Sequence, residues 1–542
     1  MSAPDEIWDA IVIGSGFGGS INALRLAEAG RSVLVLERGR RYRPGEFPRD
    51  VRKVDNLLWR YPKHSASTGL YDVRFHSGIG TVAAAGVGGG SLIYANIHYR
   101  PNASVFDDPR WPTGIDASSL EPYYRRVAEK LGVSPFPAGE FLPKRDIFRK
   151  TAEALGREPF DVPQAVSWNE VQGAAKAGRR PCQRVAECEF GCNFGSKNSL
   201  DFNYLAEAEA LGAVVEPERQ VSHIEPDAEF YRVHYRDIIG EETRTARARR
   251  VVVAAGTLGT VELLLRSRDL HKTLPRLPAT LGHGYSGNGD FLGSIQNIDR
   301  DIEPWGGPDV TTIAWYHDRL PGFVLAAPTF NQEVMEVLAS LGQGAPPALL
   351  KPLAPLLWKA LPWLLPLAFK SGLLSKPLRL PGPNAGPAER MTNLFAIGSD
   401  DAQGRMHLRN GALDIDWDYT KSNSALIARQ EQAMRDFAEK YGGTYAPIAT
   451  YALFRKILTV HNLGGCHIAD APERGVVDTD GQVFGHRGLY VADGSVIPTA
   501  IGSHPVMTIA ALAERIAERV VASYGSTRKP APAAAGTTEL RL

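Results

Sequence analysis

Cysteine is scarce. Four in 542 residues cannot make a disulfide scaffold for a chain of this length. An excess of either charge is missing as well: 61 Lys and Arg stand against 60 Asp and Glu, a formal net charge of +1, which offers no field to a nucleic acid or other polyelectrolyte. The N-terminus has no basic segment followed by an apolar run, so no secretory signal is expected and the chain reads as cytoplasmic. No apolar run is clean enough to span a bilayer. The greasiest stretch, residues 346–383, is broken by Pro352, Pro355, Pro362 and Pro366 and punctuated by Lys351, Lys359 and Lys370. Metal-ligand spacing is absent too. Cys182, Cys188 and Cys192 run as C-x5-C-x3-C with no fourth ligand nearby, so buried or redox-inert thiols are expected there and no metal.

What is present concentrates first in residues 11–39, IVIGSGFGGSINALRLAEAGRSVLVLERG. Ile11, Val12 and Ile13 form an apolar run ended at once by glycine, the pattern of a short buried strand. Gly14, Gly16 and Gly19, with Phe17 and Gly18 between them, give G-x-G-x-x-G spacing. The first glycine allows a tight turn, the second lets a pyrophosphate approach the backbone, and the third lets helix and strand pack closely. A helix is predicted over 17–29 and a second strand over 32–36. Glu37 then falls where a carboxylate holds a ribose diol, which argues against NADP because a 2′-phosphate would meet a like charge. The frame predicts an ADP-binding site and leaves FAD and NAD both open. No second fingerprint follows anywhere in the chain.

Glycine recurs at Gly86, Gly88, Gly89 and Gly90 ahead of Ser91, in GVGGGSLIYAN ending at Asn96, which means backbone approaching something closely or several residues at φ > 0. Helices are predicted over 120–131 and 424–441. Strands are predicted over 213–216, 221–225, 231–235 and 251–255, and a half-buried strand over 411–419, where Leu413, Ile415, Trp417 and Tyr419 alternate with aspartates. Residues 250–266 repeat the strand–turn–helix design, with Ala255 and Gly256 at the turn. Residues 300–450 read as an inserted domain. Within it, 346–383 suggests short helical pieces with two readings open: a lid or core element beside an apolar cavity, or contact with a membrane surface. The tail, 525–542, is Pro/Ala/Thr-rich and expected to be disordered. Near the C-terminus a strand over 489–492 ends in Asp493 and Gly494, a turn whose N–H groups face a cofactor. His504 precedes Pro505 and Val506 at the start of a helix whose dipole disfavours the imidazolium form.

Taken together, GSGFGG with Glu37, GVGGGS, VAAGTLGT, HNLGGC and VADGSVIP…HPVMT make the chain resemble the glucose–methanol–choline (GMC) oxidoreductase family. Within it the chain is similar to the bacterial cholesterol oxidase branch. The resemblance covers most of the chain outside 300–450. It implies an α/β fold in which a discontinuous Rossmann-like FAD-binding domain (1–110, 180–300 and 450–524) carries an inserted α+β substrate domain on an antiparallel sheet (111–179 and 301–449). It implies FAD, with residues 86–91 along the flavin, Val221 at the adenine, Asp493 and Gly494 at the pyrophosphate or ribityl chain, and further contacts from Asn96, Ala255, Gly256, Pro505 and Val506. It also implies that His461 takes the alcohol proton while His504 hydrogen-bonds the same oxygen, as hydride passes to flavin N5. No histidine lies in 91–94, where some relatives attach flavin, so non-covalent FAD is expected. Two departures stand out. His504 replaces the Asn of the best-known cholesterol oxidases, and strand 323–327 lacks the glutamate they use to move the steroid double bond, so isomerisation is not expected.

The first reading is therefore an FAD-dependent oxidoreductase of a hydrophobic CH–OH substrate, sterol-like, long-chain or terpenoid, with oxygen or another electron acceptor. A sugar or small polar alcohol is a second reading. A non-catalytic, membrane-associated flavoprotein is a third, and the two histidines speak against it.

Overall fold

A computed structural model describes residues 7–50, 53–59, 68–340, 352–370 and 388–525. The expected tail lies almost wholly outside these residues, as do the flanks of the apolar segment, 346–351 and 371–383.

The first sheet is built on parallel strands, Val214–Glu216, Val33–Leu36, Ile7–Ile13 and Thr243–Val253, in that order. Leu489–Val491 adds in parallel beside the end of Thr243–Val253, and Phe230–Asp237 and Arg219–Asp227 continue from its start as an antiparallel meander. Strands covered on both faces must be apolar throughout. Ile11, Val12, Leu34, Val35, Val251 and Val252 accordingly lie in register across the sheet and are fully or almost fully buried.

Helix Phe17–Glu28 packs on helix Val506–Ala522, so the two ends of the chain close one layer. Their seam holds Glu514, which is 0 % exposed and accepts two hydrogen bonds from the Arg25 guanidinium at 2.8 and 2.7 Å and one from the Tyr204 hydroxyl at 2.8 Å. Helix Ala117–Lys130, capped by Asp116 and Ser119, lays Tyr124 and Arg126 on the same C-terminal helix. It thus packs with the dinucleotide layer, although the sequence reading grouped 111–179 with the second domain. Its buried stripe, Leu120, Tyr124 and Val127, finds its partner there.

The second sheet is antiparallel, in the order Thr444–Pro447, Phe291–Gln296, Thr392–Gly398, Phe323–Ala326, Thr312–Tyr316 and Pro159–Asp161. Strand Phe291–Gln296 joins this sheet, although the expected FAD-binding domain runs on to residue 300. Helix Ser424–Tyr441 covers one face. The other face gathers Tyr99, Val310, Val324, Phe395 and Ile397 into a separate apolar cluster facing the first domain. A small third sheet, Leu458–Thr459, Gly80–Ala84 and Tyr71–Phe75, bridges the two.

Two expectations change. The strand predicted over 411–419 is one arm of a hairpin, Arg405–Arg409 with Ala412–Asp416, and the chain turns helical at Tyr419–Ser422. The described part of the apolar segment forms one helix, Ala354–Lys370, instead of short pieces. Pro355 sits in its first turn, where the missing N–H has no helical acceptor. The helix persists through Pro362 because Trp358 anchors it: its ring is 5 % exposed, packs edge-on to Phe75 at 5.0 Å, and donates Nε1–H to the His76 carbonyl at 2.9 Å.

Glu514→Ala would strand Arg25 and the Tyr204 hydroxyl at a buried seam. Breaking such a pair on one side costs about 3–5 kcal/mol. A clear fall in the urea midpoint is the expected result.

Candidate active site

Both sheets and the bridging sheet wall a single large cavity of about 450 Å³. The glycine turn forms one end. Gly14 has φ +93°, and a Cβ there would stand 2.4 Å from the Ala254 carbonyl oxygen, so only glycine fits. Gly16, Phe17, Gly18 and Glu37 lie on the wall. Gly19 lies off it and serves packing, since its Cβ would meet the Gly14 carbonyl at 1.9 Å. The Glu37 carboxylate closes the turn: it accepts from Ser15 N–H at 3.0 Å, Ser15 Oγ at 2.7 Å and Gly39 N–H at 2.8 Å. Burial nevertheless pushes its pKa up.

The second glycine loop divides. Gly89 and Gly90 reach the cavity. Gly86, Gly88 and Ser91 do not; they build the loop. Gly88 N–H donates to Ser15 Oγ at 3.0 Å, and Ser91 Oγ donates to the Gly88 carbonyl at 2.7 Å, which turns the serine away from the cavity. Asn96 is likewise buried behind the wall, at φ +64°. Val221, Ala255, Gly256, Asp493, Gly494 and Pro505 all face the cavity, with Val506 beside them.

Three helices begin at this cavity: Phe17–Glu28 after Gly16, Gly256–Leu265 after Ala255, and Val506–Ala522 after Pro505. None has a side-chain cap or an acidic residue in its first turn. Their N–H groups and positive dipole ends therefore remain directed at whatever occupies the space, an arrangement suited to anions. With the tight glycine approach and Glu37, the donor set fits a dinucleotide bearing a pyrophosphate.

At the other end stand the two histidines, ring centroids 5.7 Å apart and nearly perpendicular at 79°. A single turn holds both. The buried Asp400 carboxylate accepts from Ser286 Oγ at 2.7 Å and from the N–H groups of Gly287, Gly289 and Ala402 at 3.0, 2.9 and 3.0 Å. From that turn Asn288 accepts from Ile501 and Gly502 N–H at 2.8 and 3.0 Å and donates to the Ser503 carbonyl at 2.7 Å, fixing the approach to His504. Two residues on, Asp290 accepts from Thr459 Oγ1 at 2.8 Å, Val460 N–H at 2.9 Å and His461 Nδ1 at 2.8 Å. As Asp290 is an acceptor, the proton of this contact sits on His461 Nδ1. Phe395 stacks on the ring, 6° from parallel. His504 shares a hydrogen bond from Nδ1 with the Tyr99 hydroxyl at 3.1 Å. Burial first, then the neighbouring His461 and His98, hold its pKa well below 6.5. His504 is thus a neutral imidazole at physiological pH.

The sequence alone does not single out several of these residues. Asn288 and Asp290 lie in a GNGD turn just before a strand, a turn signal but no pointer to histidines more than 170 residues later. Tyr99 follows the second glycine loop. Glu189 reaches the cavity wall beside Phe190 and lies near the buried Asp309. Burial, then Asp309, raise its pKa well above the usual range. Strand Phe323–Ala326 contributes no acid.

Residues 9–270 and 400–513 match the N-terminal and C-terminal profiles of GMC oxidoreductases. The chain belongs to the GMC oxidoreductase family. It is 28 % identical to a cholesterol oxidase of Acinetobacter baumannii, over 97 % of this chain and 96 % of that protein. It is 31 % identical to a cholesterol oxidase of Mycobacterium tuberculosis, over 94 % and 90 %. The fold is similar to pyridoxine 4-oxidase from Mesorbium loti, with a TM-score of 0.62 at 16 % identity over 94 % of this chain and 98 % of that one. The chain is accordingly a GMC-type FAD-dependent oxidoreductase acting on CH–OH donors. No helix among the described residues is long and apolar enough to cross a membrane.

Burial pushes Asp400 up from 3.8 to about 7. Its folded-state pKa then exceeds its unfolded one, the native state binds more protons between the two, and its contribution to stability declines as pH rises through that window. An Asp400→Asn variant, less stable than wild type at pH 5, is expected to close on it by up to about 1.4 kcal/mol per pH unit toward pH 7. Paired denaturant melts at several pH values measure this.

Proposed function

We propose that the protein oxidises a hydrophobic alcohol of the sterol-like, long-chain or terpenoid class, with His461 as base and His504 as the second ligand of the carbinol oxygen. The observation carrying this is the Asp290–His461 pair set against a neutral, Tyr99-bonded His504 at the apolar end of the cavity. His461 Nε2 receives the hydroxyl proton, and Asp290 steadies the imidazolium that results. With its Nδ1 occupied by the Tyr99 hydroxyl as donor, His504 turns Nε2–H toward the same oxygen and holds the carbinol in one orientation. Phe395, Val310 and Ile97 supply the apolar wall that excludes water and favours a hydrophobic substrate. When bound, FAD supplies a two-electron acceptor for the carbinol hydride. The turn around Gly14 and the three open helix termini would hold its pyrophosphate, and Glu37 its ribose.

The cholesterol oxidase relatives support a sterol-like substrate for this chain. Non-covalent attachment is favoured by the surroundings of the second glycine loop. Ser91 faces away, and the nearby His98 is engaged by the Tyr94 hydroxyl at 3.0 Å and by Met507 Sδ at 3.2 Å.

The test is bleaching of the yellow protein under nitrogen with sterols, long-chain alcohols and sugars in turn, followed by air. Bleaching by the hydrophobic alcohols alone is the expected outcome; bleaching by sugars alone overturns the reading. His461→Ala and His504→Ala should keep their flavin and lose about 10²–10⁴-fold in the rate of reduction. Acid precipitation should release all the yellow colour into the supernatant, whereas colour retained in the pellet would mark a covalent bond.

A further inference from the structure

Helix Ala354–Lys370 has two apolar faces and uses only one of them on the protein. Trp358 fills the inner side, against Phe75 and Phe454 at 5.0 and 5.3 Å. On the outer side Leu356, Trp363, Leu364 and Leu367 are 68, 60, 44 and 64 % exposed, and Leu353, just before the helix, is 47 % exposed. At about 100° per residue, the four helical positions fall in one sector roughly 100° wide, and Trp358 points about 180° away from its centre. So wide a stripe of large apolar side chains on a single surface helix exceeds the scattered exposure normal for a folded protein.

Charge selects the partner. The helix carries no acidic residue, while Lys359 and Lys370 border the stripe on the side of Trp363. Among the described residues Asp55 stands 3.8 Å from Lys370, and both groups are more than half exposed. Leucines and a tryptophan flanked by lysines are the composition of a helix lying in the headgroup region of an anionic bilayer. The helix is too short and too interrupted to cross one.

We infer that the outer face of helix Ala354–Lys370 docks the protein peripherally on an anionic lipid surface. The anchor is firm: through Trp358 the helix sits on the bridging sheet, and Tyr71, Arg74 and Val82 of that sheet wall the cavity. Docking thus places the alcohol end of the site one layer of structure from the bilayer. It holds whichever alcohol is oxidised.

The experiment is co-sedimentation of the full-length, FAD-loaded protein with vesicles of phosphatidylcholine, with and without phosphatidylserine. Binding to the phosphatidylserine vesicles that weakens with salt is expected. A Leu356→Ser/Trp363→Ser/Leu367→Ser variant should lose about tenfold or more in partition, with flavin content and melting temperature unchanged. Lys359→Gln/Lys370→Gln, which leaves the apolar stripe intact, should lose the preference for phosphatidylserine and its salt dependence. Wild-type protein that stays in the supernatant, or a triple variant that binds as well as wild type, overturns the inference. A concentration-dependent dimer in sedimentation velocity, abolished by the triple variant and unaccompanied by vesicle binding, overturns it in favour of a second copy of the chain.

Discussion

Asp400 is a carboxylate without access to water, and four hydrogen-bond donors converge on it from the turn that begins at Ser286 and from its own loop. The geometry of the active site follows from that turn. Asn288 and Asp290 leave it toward different parts of the chain, one gripping the backbone before His504 and the other the backbone and ring of His461. The separation of the two imidazoles is therefore set by a five-residue segment and not by the distant packing of two domains. A shift of either histidine alone would leave a buried amide or carboxylate unpaired, at a penalty of about 1–3 kcal/mol or more.

The opposite end of the cavity is organised by backbone. Three helices present uncapped N-termini to it, and no acid neutralises their first turns. The acids on the wall are managed individually. Glu37 has both oxygens bonded to the glycine turns, Asp493 accepts from Thr260 and Ser495, Glu262 pairs with Arg74 and Arg266, and the buried Asp309 beside Glu189 helps raise its pKa. The result is a cavity with a cationic field at the dinucleotide end and a neutral His504 imidazole at the other. Such a division suits a reaction that leaves negative charge on the cofactor while a proton moves on the substrate side.

Much of this was legible in the sequence where chemistry forces a residue type. Gly14 admits no side chain, the buried strand segments 10–13, 33–36 and 251–253 hold no polar residue, and Glu37 closes the second strand; each leaves a local mark. The histidines were legible through motifs shared with a family. What stayed hidden were the side chains acting at long range. Asp290 and Asn288 look like ordinary turn residues until the sheet brings residues 459–461 and 501–503 to them. Glu189 sits in a cysteine-bearing loop with no periodicity. The family resemblance places residues 86–91 along the flavin, yet of these only Gly89 and Gly90 emerge on the cavity side. Helix Ala354–Lys370 was obscured by its own prolines, since local propensity argues against it and tertiary anchoring at Trp358 sustains it.

The order of strands in the first sheet bears on how the protein is made. Leu489–Val491 pairs with Val251–Val253, and the helix after His504 covers the helix of the first glycine turn through Glu514 and Arg25. A ribosome releasing the chain from its N-terminus therefore produces six of the seven strands of the first sheet, all before residue 254, long before the seventh exists. Until residue 520 or so has emerged, one side of helix Phe17–Glu28 has no neighbour, and the third helix terminus facing the cavity has not been made. The cavity is therefore not fully walled until that helix has emerged, and the interval of waiting is one in which holding chaperones would find apolar surface to grip.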